Sequence, residues 1–144
     1  MLLVSTYLDK SPVHGIGLFV FEQIPAGTLV WQFRKDFDQV FRKEDVDNLP
    51  EPAREYLLNY AYVVKVRGEV YHILCAGNNK FVNHSAAPNT ICVGFRDGIE
   101  SGKVYASRDI QAREEILEDY NSYDDSGRIL RLMVTGDDMG SQGT

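Results

Sequence analysis

Phe81-Val82-Asn83-His84-Ser85-Ala86-Ala87-Pro88-Asn89 is the run of residues that decides how this chain is read. It lies between β-like runs, turns polar after two apolar residues, and closes on a Pro-Asn turn signal. An amide, an imidazole and a hydroxyl in succession supply donors and acceptors that a strand end does not need for folding alone. Taken by itself, the run reads equally well as an Asx-type turn around a core histidine. A serine-hydrolase reading fails on context. Ser85 is followed by Ala86 and Ala87, without the glycine-flanked elbow that exposes such a nucleophile.

Outward from this run, the composition is that of one ordinary domain. The chain has 144 residues, of which 44% are hydrophobic and 25% charged, enough to bury a sizeable core. Fifteen Lys and Arg against 21 Asp and Glu give a net charge of −6, so no direct nucleic-acid binding is expected. A basic peptide is the better electrostatic match. Cys75 and Cys92 are too few for a disulfide scaffold or a four-cysteine zinc site, and both sit in apolar runs that suit small buried side chains. His72-x-x-Cys75 has the spacing of half a metal site, but no second pair lies nearby and no metal is assigned. Met1–Ser5 is too short for a signal peptide, and no apolar stretch approaches a membrane span. The expectation is an intracellular protein, cytoplasmic or nuclear, neither secreted nor membrane-bound.

Most of the chain punctuates as short strands. Leu2–Tyr7, Gly17–Phe21 and Thr28–Phe33 are rich in β-branched and aromatic residues, with Ser11-Pro12 and Pro25-Ala26-Gly27 as turns. Tyr62–Val66 and Val70–Leu74 predict a hairpin around a three-residue loop, Arg67-Gly68-Glu69; Ile91–Phe95 and Lys103–Ala106 predict another around Asp97-Gly98. From Pro50 to Ala61 the period changes: Ala53, Tyr56, Leu57, Tyr60 and Ala61 form a helical stripe, with Asn48 as its expected cap. Ile24-Pro25-Ala26-Gly27 is echoed by Ile110-Gln111-Ala112-Arg113, each between strands, which predicts two similar β units packed together. Residues 1–134 read as the folded domain and 135–144 as a mobile, glycine-rich polar tail. The fold class expected is mainly β with few short helices.

Two further stretches bear on chemistry. His14-Gly15-Ile16-Gly17 precedes a strand rather than opening a helix, which excludes a dinucleotide-binding loop but leaves a turn whose backbone a ligand can approach. Glu118-Asp119-Tyr120 follows the apolar pair Ile116-Leu117. Three motifs in this order resemble the SET domain, the fold of most protein lysine methyltransferases. The residues that carry the resemblance are Gly15-Ile16-Gly17-Leu18-Phe19, then Phe81 to Ser85 with Pro88-Asn89, then Glu115-Ile116-x-x-Asp119-Tyr120 preceded by Ala106-Ser107-Arg108-Asp109-Ile110. The match covers roughly residues 2–123, nearly the whole globular part.

The resemblance implies small β-sheets in a β-clip-like arrangement, with a C-terminal pseudoknot in which the Asn83 and Tyr120 segments cross. It implies S-adenosylmethionine as methyl donor and a lysine side chain of a protein, a histone tail or other basic peptide, as acceptor. His14, Gly15, Ile16, Gly17, Asn83, His84 and Tyr120 would line the cofactor pocket, and Tyr120 would be the catalytic residue. Tyr62 and Tyr123 would wall the lysine channel, with Tyr60 and Tyr71 as further candidates. The chain departs from the family pattern in three places: Ala86 stands where a cysteine usually follows Asn-His-Ser, Glu115-Ile116-Leu117 replaces Glu-Leu-Thr, and no cysteine-rich zinc segment flanks the domain. Tyr123–Met133 is then the expected replacement wall. These departures motivate a second reading, a catalytically weak SET module that binds a basic peptide or partner protein. Oligomeric state is not legible in the sequence.

Overall fold

The structure, a computed structural model, describes residues 1–120. Tyr123, the expected wall at Tyr123–Met133 and the expected tail at 135–144 lie outside the described residues. Ten short strands and two short helices make up the described part: β1 (Thr6–Lys10), β2 (Ile16–Val20), β3 (Leu29–Gln32), β4 (Gln39–Arg42), α1 (Lys43–Asp47), α2 (Glu51–Tyr60), β5 (Tyr62–Val66), β6 (Glu69–Leu74), β7 (Asn83–His84), β8 (Thr90–Val93), β9 (Lys103–Ala106) and β10 (Leu117–Glu118). The strands form four small sheets, in the orders β1-β2, β3-β9-β8, β4-β6-β5 and β10-β7. All pair antiparallel except β10 and β7.

The apolar stretches of the sequence are shared among these sheets. Leu2–Tyr7, expected as one strand, divides between two partners. Leu2 bridges to Trp31 and the Leu3 N–H donates to the Val30 carbonyl at 2.8 Å, whereas Thr6–Lys10 pairs with Ile16–Val20. Trp31, Tyr62, Val64, Ile73, Cys75, Cys92, Phe95 and Val104 form one buried cluster, drawn from both three-stranded sheets. Leu18, Val20, Ile24, Val30, Val82, Ala106, Ile110 and Ile116 form a second. A third, smaller cluster of Val46, Leu57 and Ala61 seats the helices.

The expected hairpin between β5 and β6 is present with a tighter turn. Val66 pairs with Glu69, so the loop is the two residues Arg67-Gly68, both at positive φ (51° and 85°), the signature of a type I′ turn matched to strand twist. The second hairpin also forms, but β8 and β9 are joined through 3₁₀ turns at Phe95–Asp97 and Ile99–Ser101. The helix over Pro50–Ala61 is α2. Asn48 does not cap it: Pro50 is the N-cap, with no side-chain bond, and Asn48 closes α1 instead. Neither α1 nor β4 was legible, because β4 is largely exposed and its sequence, Gln39-Val40-Phe41-Arg42, has no buried face to impose alternation.

The internal echo is structural. Ile24 and Ile110 bridge antiparallel, exchanging backbone bonds of 2.8 Å each way, and the Ala26 N–H donates to Asp109 Oδ1 at 2.8 Å. Gly27 and Arg113, the fourth residues of the two echoes, both sit at positive φ (84° and 67°). The two similar units are therefore joined edge to edge through their turns.

Arg67 occupies a left-handed conformation that costs a residue with a Cβ about 1–2 kcal/mol relative to glycine. Arg67→Asn, giving Asn-Gly in a type I′ turn, is expected to raise stability by roughly 0.5–1 kcal/mol in urea unfolding. An unchanged or lowered midpoint would contradict this account of the turn.

Candidate active site

The Gly-x-Gly turn is held from below by one serine. The Ser11 N–H donates to the Gly15 carbonyl at 2.8 Å, while its Oγ accepts the N–H groups of Val13 (2.9 Å) and His14 (3.2 Å). With those acceptor positions filled, the hydroxyl donates its own proton to the Glu115 carboxylate, whose oxygens lie 2.7 and 2.9 Å away. The two glycines serve different ends. Gly15 takes φ +47° and has open space where a Cβ would be. Gly17 has ordinary backbone, but a Cβ there would stand 2.2 Å from Glu115 Oε1. The second glycine is required by a buried carboxylate, whereas the first leaves a backbone shelf open.

Asn83 closes this unit from the other side. Its Nδ2 lies 2.9 Å from the His14 carbonyl, 3.2 Å from the Ile16 carbonyl and 2.9 Å from Glu115 Oε1, so two N–H groups are shared among three acceptors. The Asn83 side chain thus fixes the loop through its carboxamide. His14 enters through its backbone; its ring is exposed.

Residues 113–118 run between two partners, which is the crossing expected of the pseudoknot. On one side Arg113 donates to the Val20 carbonyl (2.7 Å) and Ile116 to Leu18 (2.7 Å). On the other, β10 pairs parallel with β7, Leu117 opposite Asn83 and Glu118 opposite His84, and the Ser85 N–H donates to the Glu118 carbonyl at 2.9 Å. Asn89, wholly buried, imitates a neighbouring strand with its side chain. Its Nδ2 donates to the Glu115 carbonyl (2.7 Å), and its Oδ1 accepts the Leu117 N–H (2.9 Å). Thr90 Oγ1 donates to the Leu117 carbonyl at 2.8 Å. Ser85 Oγ accepts the Ala87 N–H at 3.0 Å in a local turn, and Ala86 is exposed.

Tyr120 emerges from the crossing already oriented. Its N–H donates to His84 Nδ1 at 3.1 Å, and its hydroxyl donates to the Val82 carbonyl at 2.5 Å; the two rings are 5.2 Å apart. The same Nδ1 lies 3.7 Å from Asp119 Oδ1. Tyr120 packs against the same cluster that contains Tyr62. Tyr62 is buried, meets the Trp31 ring edge-on at 6.0 Å, and accepts a bond from the Asn79 amide. Burial pushes its phenol well above the usual 10.0, with Glu118, Cys75, Cys92 and Tyr120 adding to the rise. Tyr60 meets the Tyr56 ring at a tilt and the Phe81 ring edge-on, while Tyr71 also packs against the Tyr62 cluster and its hydroxyl donates to exposed Glu69 at 2.5 Å.

Comparison with known proteins decides the family, because the SET domain profile matches residues 15–121. The chain belongs to the SET-domain family. Its members are lysine methyltransferases, and SET domains typically use S-adenosylmethionine. The chain is 28% identical over 126 residues to a Schizosaccharomyces pombe histone-lysine N-methyltransferase described as H3 lysine-4 specific, covering 85% of this chain and 13% of that protein. It is 27% identical over 143 residues to the Bos taurus histone-lysine N-methyltransferase SETMAR, covering 89% of this chain and 42% of that protein. The chain therefore spans less than half the length of either relative. Among solved structures, a humanized mutant of the Chaetomium thermophilum Polycomb Repressive Complex 2 aligns with a TM-score of 0.62 at 20% identity, over 83% of this chain and 15% of that one. That likeness bears on the fold alone.

Within this SET domain, the expected site residues Gly15, Ile16, Gly17, Asn83, His84 and Tyr120 gather around one crossing, with the His14 backbone among them, and Tyr62 shares a cluster with Tyr120. Sequence reasoning missed Ser11, Asn89 and the role of Glu115. Asn89 stood inside the quoted motif, and its residue type, able to bond like backbone, was the available signal. Ser11 offered none, since its partner is 104 residues away. Among the described residues no helix is long and apolar enough to cross a membrane, and no three His, Cys, Asp or Glu side chains gather as a metal-ligand set.

Two outcomes follow for the clasp. Gly17→Ala must displace Glu115 and is expected to cost roughly 2–3 kcal/mol in urea unfolding, against about 1 kcal/mol for Gly15→Ala, which meets only backbone strain. The reverse order would refute the assignment of the two glycines. Near the start of the crossing, Glu114 is held down to about 2 from 4.5 by Arg108, whose guanidinium is 2.6 Å away, helped by the Gln111 N–H and Asn89. A depressed folded-state value stabilises above the unfolded one. Its contribution is complete above about pH 4.5 and is lost as pH falls toward about 2. Glu114→Gln should flatten the acid limb of stability in that window; an acid limb as steep as wild type would show the pair contributes nothing.

Proposed function

We propose that this chain is a protein lysine methyltransferase that transfers a methyl group from S-adenosylmethionine to a lysine side-chain amine. The observation that carries the reading is the seating of Tyr120, whose amide is bonded to His84 and whose hydroxyl is bonded to the Val82 carbonyl, at the end of the crossing that Asn83 ties to the Gly-x-Gly loop. Family membership supports it. The names of the relatives make histone tails the first substrates to test, and a net charge of −6 suits a basic tail.

The residues fit the cofactor at the loop. Gly15 has no side chain and open space beyond it, so a polar ligand end can reach the backbone of His14, Gly15 and Ile16, while Asn83 and Glu115 hold that backbone still. When bound, the cofactor supplies an electrophilic methyl group on a sulfonium. No covalent enzyme intermediate is needed. The work of the chain is alignment and exclusion of water, worth up to about 7–11 kcal/mol in favourable cases.

Tyr120 suits alignment better than proton removal. Its single hydroxyl proton is committed to the Val82 carbonyl, so its oxygen turns lone pairs to the site and can accept an N–H from the amine. Tyr62 contributes a buried aromatic face, and aromatic faces attract alkylated ammonium. Tyr123 is the further channel wall in this reading.

The test is transfer of labelled methyl to core histones and to a cell lysate, with S-adenosylmethionine affinity measured by calorimetry. Wild type should bind the cofactor and label protein. Tyr120→Phe, freed from Val82, should bind the cofactor within a few-fold yet label roughly 10- to 100-fold more slowly. Absence of both cofactor binding and transfer in wild type would overturn the reading. Peptide binding without cofactor binding would establish the binding-module alternative instead.

A further inference from the structure

The apolar stripe of α2 is split by the fold. Leu57 and Ala61 are buried with Val46, whereas Tyr56 and Tyr60 stand outside the buried clusters. Tyr56 is 41% exposed. Phe81, which ends the 3₁₀ turn Asn78–Phe81, also stands outside those clusters. The three rings gather at the surface instead, Tyr60 meeting Tyr56 at 4.9 Å and Phe81 at 5.6 Å between centroids. A single exposed aromatic residue is ordinary, but three in mutual contact form a patch, the kind of surface that serves binding.

A cation already sits on this patch. Lys80 Nζ lies 5.6 Å from the Tyr56 ring centroid and 5.6 Å from that of Phe81, within the range over which ring faces attract an ammonium. It donates to the Tyr56 hydroxyl at 2.9 Å, in a bond exposed to solvent. Among the described residues no carboxylate pairs with it, although Glu51 and Glu55 stand exposed on α2. Ring faces and one phenol oxygen therefore hold this ammonium without an ion pair. The patch is selective for positive charge, and its occupant is a flexible side chain that can swing into water.

We propose that Tyr56, Tyr60 and Phe81 form a binding site for a methylated lysine on a basic peptide, whose ammonium takes the place of Lys80. Lys80 sets the selectivity. An unmodified lysine from another molecule makes at best the contacts that Lys80 already makes, and Lys80 makes them within the chain, without the cost of association. A trimethylated ammonium keeps its charge, carries no N–H to be stripped of water, and gains more from the ring faces. Only such a ligand displaces the internal lysine. A net charge of −6 favours a basic carrier for it. The site lies beside the crossing, since Phe81 precedes the Val82 carbonyl that accepts the Tyr120 hydroxyl. It goes beyond the methyltransferase reading and does not depend on it, because the rings bind a methylated side chain whichever enzyme made it.

The experiment is calorimetry of the full chain, without cofactor, against three basic peptides that differ in one side chain. These carry trimethyllysine, lysine, or the neutral isostere with carbon in place of the trimethylated nitrogen. Wild type should bind the trimethylated peptide about three- to tenfold tighter than either of the others. Tyr56→Ala should lose that preference, and Lys80→Met, which removes the internal competitor, should enlarge it about threefold. Equal affinities in wild type, a preference that survives Tyr56→Ala, or weaker binding by Lys80→Met would each overturn the proposal. Where Tyr56→Ala fails to fold by circular dichroism, the wild-type protein decides, in a tetramethylammonium titration followed by the proton resonances of its aromatic rings. Shifts centred on Tyr56, Tyr60 and Phe81 support the site, and shifts elsewhere or none overturn it. Because no methyl donor is present, failure here leaves the transfer assay above untouched.

Discussion

Everything in the site hangs on the Asn83 carboxamide and the buried Glu115 carboxylate it donates to. Glu115 could not remain in the core without donors, and it receives them from Asn83 and from Ser11. Those same two side chains bind the turn that carries Gly15, Asn83 through the His14 and Ile16 carbonyls and Ser11 through the Val13 and His14 amides. Three segments far apart in the chain thereby become one rigid unit. Because the network is buried, removal of any member leaves a charge or carbonyl without its partner, and the loss falls on the whole assembly.

The crossing converts this rigidity into placement of Tyr120. Parallel pairing of only two residues, β10 with β7, is too short to hold alone. Asn89 and Thr90 extend it with side-chain bonds to the 115–117 backbone, and Leu18 and Val20 grip the opposite edge. With its chain direction set, Tyr120 has both ends of its polar inventory assigned, to His84 and to Val82. A side chain oriented this way can position a nucleophile without reorganising, which is what a direct methyl displacement asks of a protein.

The β-rich character, the hairpin of β5 and β6, the helix at α2 and the pairing of the two echoed units were legible because each rests on a local pattern: period, turn chemistry or repeat. The misses have local causes too. Glu69 was assigned to a turn because the loop was counted from the first apolar residue, whereas register is set by the positive φ of Arg67 and Gly68. Asn48 looked like a cap for α2 and caps the end of α1, since nothing in its neighbourhood announced that shorter helix.

The sequence by itself determined the family and the identity of the motif residues, because Gly-x-Gly, Asn-His-Ser and Asp-Tyr in that order are a linear record of the site. Tertiary structure alone decided what each of them does. Asn83 reaches carbonyls 69 and 67 residues away and a carboxylate 32 residues away, and Gly17 is glycine because of Glu115. Such contacts are set by how the chain closes on itself, and closure over those separations leaves no periodicity, spacing or composition signal in the sequence to be read.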